Sequence, residues 1–167
     1  MTLPQWIALT IAVLRAAELI YAHRNARRLL AMGGRTFGDR HYPAIVGLHA
    51  GWLVALLWTG GLIHQPDWLL FAFFVLLEAA RFWVIATLGR FWTTRIVTVP
   101  GTPLVRSGPY GWVRHPNYLI VSLEVPLLLF AFAAPGLAVL FGAANILLLA
   151  HRIRVEDDAL RVRRSPV

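Results

Sequence analysis

The sequence predicts an all-α integral membrane protein of about five transmembrane helices that ends in a helical hairpin, and three observations carry that prediction. Hydrophobic residues make up 58% of the chain, mean hydropathy is +0.63, and 14% of residues are charged, whereas a soluble domain carries roughly 25% charged residues. Five apolar runs alternate with polar connections. All 16 basic residues other than histidine are arginine. Apart from Arg15 and Arg81 they gather in three clusters, Arg24 to Arg40, Arg90 to Arg114 and Arg152 to Arg164, while the turns at His64-Gln65-Pro66 and Ala134-Pro135-Gly136 hold none. That alternation is the positive-inside pattern and predicts an amino terminus outside and a carboxyl terminus in the cytosol. It also accounts for the net charge of +8, which in a soluble chain would point to nucleic acid; no nucleic-acid partner is expected here.

The first span is read as Pro4 to Ala22, about the 20 residues that a bilayer needs. No basic segment precedes it and Arg15 and Glu18 interrupt it, so it is a retained span rather than a cleaved signal peptide. Three apart on one face, Arg15 and Glu18 can pair, which lowers the cost of carrying them in lipid. His23 to Arg40 reads as a basic connection in which Gly33-Gly34 break a short interfacial helix. The second span, Tyr42 to Ile63, carries Gly47, Gly51, Gly60 and Gly61, which permit close helix contact. His49 within it reads as a hydrogen-bonded packing histidine. In the third span, Trp68 to Leu88, Glu78 and Arg81 repeat the spacing of opposite charges, either as a structural ion pair or as part of a candidate acceptor cavity. Gly89 to Arg106 reads as an irregular loop or short hairpin. The fourth span, Pro116 to Ala133, contains Glu124 and a kinking Pro126. A tight reversal then makes the fifth span, Leu137 to His151, antiparallel to the fourth. Residues 1–88 thus form a three-span scaffold and 89–167 a second part, in one structural unit.

The stretch Leu104 to Tyr118 is polar and glycine-punctuated between two apolar blocks. Pro116 suits the first position of a helix, and a residue before proline is pushed out of the helical region. His115 is therefore an extended residue beside unpaired backbone N–H groups, where an anionic or polar ligand can bind. From Arg114-His115-Pro116-Asn117-Tyr118 alone, an ordinary capped helix with interfacial anchors accounts for the residues equally well. Past the fifth span, Arg152 to Arg161 continues as a helix in which Arg152 and Glu156, Arg154 and Asp158, or Asp157 and Arg161 can pair. The fourth helix starts and the fifth ends on the same basic side, which brings His115 and Tyr118 near Arg152 and Glu156.

Several chemistries lack their residues. There is no cysteine, hence no thiolate nucleophile or disulfide. No glycine-rich dinucleotide fingerprint or phosphate loop occurs, the six histidines lack ligand spacing, so no metal is expected, and no serine sits in a nucleophile elbow.

Gly108-Pro109-Tyr110, then Arg114 to Tyr118, then Arg152 with Glu156-Asp157 and Leu160 resembles the isoprenylcysteine carboxyl methyltransferase family. Arg15-Ala16-Ala17-Glu18-Leu19, His41-Tyr42-Pro43 and Gly89-Arg90-Phe91-Trp92 resemble a bacterial branch that includes O-methyltransferases for alkylresorcinols and alkylpyrones. The all-arginine usage fits a bacterial gene, hence the cytoplasmic membrane. The resemblance implies an enzyme that uses S-adenosylmethionine, bound by cytosolic flanks of the last hairpin. Thr102, Pro103, Leu104 and Val105 would line the adenosine pocket, Tyr110, His115, Pro116, Asn117 and Tyr118 would complete it, Glu156 would hold the cofactor's cationic end, and Arg152 would face the acceptor. Asp157 departs from the second glutamate frequent in the family, which puts a direct contact there in doubt. Arg95 stands where animal members have a cofactor-binding glutamine, and no role is carried over to it.

Charge and aromatic composition agree with that implication. A sulfonium cation with an ammonium group calls for an acid such as Glu156 and aromatic faces such as Tyr110 and Tyr118. The acceptor is expected to be a lipid in the bilayer, with the hydroxyl of an alkylresorcinol- or alkylpyrone-like lipid ahead of a prenylcysteine carboxylate. The competing class is a small transporter or channel in which Arg15, Glu18, Glu78, Arg81 and Glu124 form a path.

Overall fold

The computed structural model describes residues 1–164, with side chains to Arg161; the third arginine cluster therefore runs partly outside the described side chains. Five helices account for most of the chain: α1 (Leu3–Ala31), α2 (Tyr42–Leu62), α3 (Trp68–Leu88), α4 (Pro116–Ala131) and α5 (Pro135–Arg164). Four of them are long and apolar enough to cross a membrane, and α4 is a shorter apolar helix. The protein is an all-α membrane protein, as its composition requires.

Helix α1 runs past the expected boundary at Ala22 and absorbs the basic segment that reads as a separate interfacial helix. The reason is a buried stripe that keeps helical spacing through the arginines: Glu18, Ala22, Asn25, Ala26 and Leu29. Asn25 fixes the extension, donating from Nδ2 to Gly89 O and Trp92 O, both at 3.0 Å. The helix stops where Gly33 takes φ +83° and Gly34 N donates to Leu29 O; a Cβ on Gly34 would lie 2.6 Å from that oxygen. The chain then enters β1 (Arg35–Phe37), which pairs antiparallel with β2 (Ile96–Thr98), Thr36 opposite Val97. The loop after α3 therefore does form extended structure, but its partner is the distant α1–α2 connection rather than a local hairpin.

Helices α1 and α2 meet most closely at the end remote from the ribbon, where Gly60 and Gly61 lie against Gln5 and Thr2 Oγ1 donates to Gly60 O. Gly47 meets no neighbour and a Cβ on Gly51 would sit at an ordinary contact distance, 3.5 Å, from Phe141, so of the four glycines of α2 this terminal pair makes the close approach. Asp67 caps α3, accepting from Leu69 N at 3.0 Å and Leu70 N at 3.1 Å. α4 packs between α3 and α5. Pro126 interrupts its interior, with Gly142 of α5 against the ring, and Trp52 Nε1 and Asn145 Nδ2 donate across the bundle to Val125 O and Val121 O. A core of Trp52, Leu56, Phe74, Leu128, Leu129 and Phe132 fills the bundle toward the α4–α5 reversal.

Two lengths position the site. At about 1.5 Å per residue the 16 residues of α4 span about 24 Å, short of the roughly 30 Å hydrocarbon core. Its His115 end consequently lies below one membrane face when its Ala131 end reaches the other. The 30 residues of α5 reach about 45 Å, so its last turns emerge at that same arginine-rich face, beside the mouth of α4.

Candidate functional site

Local sequence sets the mouth of α4. Gly108 takes φ +54°, and a Cβ there would come within 2.8 Å of Thr87 Oγ1. It opens a 3-10 helix, Gly108–Gly111, that places Tyr110 against Val84, Trp92 and Ile120. His115 is non-helical (φ −128°, ψ 61°) and Pro116 begins the helix, as the pre-proline restriction demands. Pro116 itself is buried.

Two acids of α5 hold this mouth. His115 Nε2 donates to Asp157 Oδ1 at 3.1 Å, and its Nδ1 lies 4.0 Å from Glu156 Oε2. The Tyr118 hydroxyl donates to Glu156 Oε2 and accepts from Arg152 Nε at 2.8 Å. Arg152 and Glu156, which their spacing allows to pair directly, meet instead through that hydroxyl, because Tyr118 reaches between them from the facing helix. Arg152 Nη2 donates to Thr94 O at 2.6 Å, and its guanidinium carbon stands 5.7 Å from the centre of the Tyr118 ring, in cation–π range. The His115 and Tyr118 rings stack, centroids 5.4 Å apart. Asp157, the departure from family pattern, thus has a direct role in orienting His115, and Thr94 is a contact that sequence reasoning gave no reason to choose.

These groups border a cavity of about 1110 Å³ lined by Pro103, Leu104, Val105, Tyr110, His115, Asn117, Tyr118, Arg152 and Glu156, and on its other walls by Arg15, Glu18, His49 and Arg81. Small-molecule pockets usually enclose roughly 300–1,000 Å³, so there is room for two ligands. Thr102, Pro116 and Glu78 are outside its lining; Thr102 N donates to Val99 O and Glu78 bonds Arg15. Asn117 Oδ1 is buried without a hydrogen-bond partner, an acceptor waiting for a donor at the cavity edge. Burial, then the negative charge of Glu156, raises the Tyr110 phenol above its ordinary 10.0, which keeps it a neutral hydroxyl that can donate. His41, at the head of α2, is held below its ordinary 6.5 by burial and by the charges of Arg152 and His151; its ring meets His151 edge-on at 4.9 Å. Arg95 pairs with Asp39 at 2.7 Å and lies over Tyr42, which explains it as a tie across the ribbon.

Deeper in the bundle the five intramembrane charges form one cluster. Arg15 bonds Glu18 at 2.7 Å, Glu124 at 3.3 Å, and Glu78; Arg81 bonds Glu18 at 2.8 Å and Glu124 at 3.3 Å. The expected pair within α3, Glu78 with Arg81, is replaced by bonds to α1 and α4, whereas the pair that spacing allows within α1, Arg15 with Glu18, is present. The ion pairs stitch three helices together, and one carboxylate oxygen each of Glu78 and Glu124 is left buried without a hydrogen-bond partner. Among the described residues no group of three or more histidine, cysteine or acidic residues could hold a metal ion.

Residues 68–162 match the isoprenylcysteine carboxyl methyltransferase (ICMT) family, more than half of the chain. An uncharacterized protein YpbQ of Bacillus subtilis is 38% identical over 161 residues, covering 93% of this chain and 96% of the relative. An uncharacterized protein of Haemophilus influenzae is 26% identical over 155 residues, 90% of each. No solved structure matches.

Proposed function

The chain belongs to the isoprenylcysteine carboxyl methyltransferase family, which implies a membrane methyltransferase, and from that premise we propose an S-adenosylmethionine-dependent O-methyltransferase acting on a lipid held in the bilayer. The observation that carries the reading is that one cavity is shared by the mouth of α4, the last turns of α5 and walls from α1 and α2. Proposed part 89–167 supplies the cofactor residues, and proposed scaffold 1–88 supplies the acceptor-side wall.

The residues present fit such a cofactor. Glu156 offers an anion to its ammonium group, Tyr110 and Tyr118 offer ring faces, Asn117 Oδ1 offers an unused acceptor, and the apolar run Pro103 to Val105 offers a dry wall. When bound, the cofactor supplies an electrophilic methyl group. Arg152 keeps Tyr118 and Glu156 in register and, with Nη1 unpaired among the described residues, has a donor left to steady an oxyanion. The site's task is alignment of two ligands, and its depth suits an acceptor whose tail stays in lipid.

The favoured acceptor is a hydroxyl on an alkylresorcinol- or alkylpyrone-like lipid, with a prenylcysteine carboxylate next, because the motifs of residues 1–88 resemble the bacterial branch that acts on such lipids. The arginine-rich face is proposed to be cytosolic in a bacterial inner membrane; a cytosolic reporter signal from a fusion at Pro135 would overturn that orientation. Calorimetry on detergent-purified protein should detect S-adenosylmethionine or its demethylated product binding without added metal. Glu156→Ala and His115→Ala should each weaken binding roughly 5- to 150-fold, the cost of about 1–3 kcal/mol for an unpaired buried polar group. Absence of cofactor binding by folded wild type would sink the reading.

A further inference from the structure

A hydroxyl acceptor must lose a proton that a carboxylate has already lost, and none of the groups assigned to the cofactor is free to take it. Tyr118, Glu156, His115 and Asp157 are bonded to one another. Of the three deep carboxylates, Glu18 is held by both Arg15 and Arg81, and Glu78 and Glu124 stand outside the cavity lining. Resting on the proposed function, we propose that His49 is the general base that accepts the proton of the acceptor hydroxyl.

Three observations place it. His49 lines the cavity, one turn of α2 from Ile45 and Leu53, which line it too. Its Nδ1 lies 2.9 Å from Ile45 O. A carbonyl oxygen only accepts, so Nδ1 carries the hydrogen, and in the neutral ring Nε2 holds the lone pair. That nitrogen is not among the buried polar atoms lacking a partner, and no described group bonds it. The tautomer is therefore set by the helix backbone, and the basic nitrogen is the one left to the cavity. The sequence position gave a packing histidine; the backbone bond and the open cavity beside it make it something more.

The charges around the ring complete the arrangement. Arg15 from α1, Arg81 from α3 and Arg152 from α5 line the same cavity as His49, while Glu18, Glu78 and Glu124, from α1, α3 and α4, anchor the first two. Guanidiniums in the shared cavity favour the oxyanion that remains as the proton leaves and disfavour a lasting imidazolium, so the ring holds the proton only in passing. In balance, the acceptor O–H bond breaks with its proton passing to Nε2, the oxygen's electron pair forms the bond to the methyl carbon, and the carbon–sulfur pair stays on sulfur. The imidazolium then returns its proton to water at the arginine-rich mouth of the cavity.

The experiment compares wild type with His49→Gln in detergent micelles, using a long-chain alkylresorcinol as acceptor and calorimetric cofactor affinity as the fold control. General-base assistance contributes roughly 10²–10⁴-fold, so His49→Gln should lose at least about a hundredfold in kcat at neutral pH with cofactor affinity retained. The deficit should close as pH approaches about 10, where a phenol ionises unaided, and added imidazole should restore turnover to His49→Ala. A second readout needs no cofactor. An alkylated nitrophenol bound to wild type should show more phenolate absorbance than in empty micelles, and His49→Gln should lose that excess. Wild-type turnover in His49→Gln, a deficit equal at every pH, or phenolate absorbance unchanged by the substitution would each overturn the assignment. Cofactor binding by wild type, measured in the same series, reports separately on the methyltransferase reading.

Discussion

At the arginine-rich end, α4 meets α5 through His115, Tyr118, Glu156, Asp157 and Arg152. Nearly two turns deeper, at Glu124, it meets α1 and α3 through guanidinium–carboxylate pairs. The deep group has formal charges only, three carboxylates against two guanidiniums: every charge has an opposite neighbour, and exposure of each side chain is near a tenth or less. The outer group mixes a phenol, an imidazole and two acids with one guanidinium, and leaves Glu156 and Asp157 about a quarter and a third exposed. Charges in lipid are therefore not by themselves a sign of chemistry. The deep set pairs charge with charge across three helices and holds them together, and the outer set mixes neutral and charged groups at the mouth of the cavity where a ligand fits.

The largest effect expected from breaking this contrast comes from Arg81→Met. It leaves three carboxylates facing one guanidinium in a buried site, and removing one partner of a buried pair costs about 3–5 kcal/mol. Thermal unfolding in detergent, followed by tryptophan fluorescence, should show a large loss of stability; an unchanged Tm would mean that the deep cluster is not a scaffold. Arg152→Lys should do the reverse, leaving Tm and cofactor affinity nearly unchanged while turnover falls about a hundredfold, the scale of losing one oxyanion donor. Equal loss of cofactor binding would move Arg152 to the donor side of the site.

The smallest effect belongs to His41, at the rim of the outer group. Its folded pKa lies below the ordinary 6.5 because burial, Arg152 and His151 oppose its protonation. The unfolded chain therefore binds more protons between the two values, and stability rises with pH in that window. The contribution is full above 6.5 and is lost as pH falls through the folded value. Between about pH 5 and 7.5, Tm should fall on acidification more for wild type than for His41→Phe. Parallel curves would exclude a titrating role for His41.

The spans were legible because a bilayer imposes length and apolarity on each helix separately. Their ends were less so: nothing local marks Asn25 as the residue that carries α1 through an arginine-rich stretch, since its partners, Gly89 O and Trp92 O, lie on another element. The ribbon was hidden for a similar reason. Three residues are too few for an alternating pattern, and Thr36 and Val97 are joined only by the fold. Within the site, the pre-proline rule placed His115 correctly at the mouth of a helix. Spacing along α3 misdirected Glu78 and Arg81, because a helical interval shows which groups can meet on one surface, whereas these reach across to other helices. Asp157 was readable as an acid in the right register, but its bond to His115 needed the antiparallel placement of α4 and α5.

The deep cluster also has an order of arrival. Helix α1 enters the membrane carrying one guanidinium and one carboxylate three residues apart, and α3 carries the same, so each can insert as a self-paired, neutral segment. Helix α4 alone brings an unmatched carboxylate, Glu124, and it is made last of the three, as synthesis proceeds from the amino terminus. By then both guanidiniums are in place to receive it, and the local partnerships of the newborn helices can be exchanged for the cross-helix ones of the finished bundle.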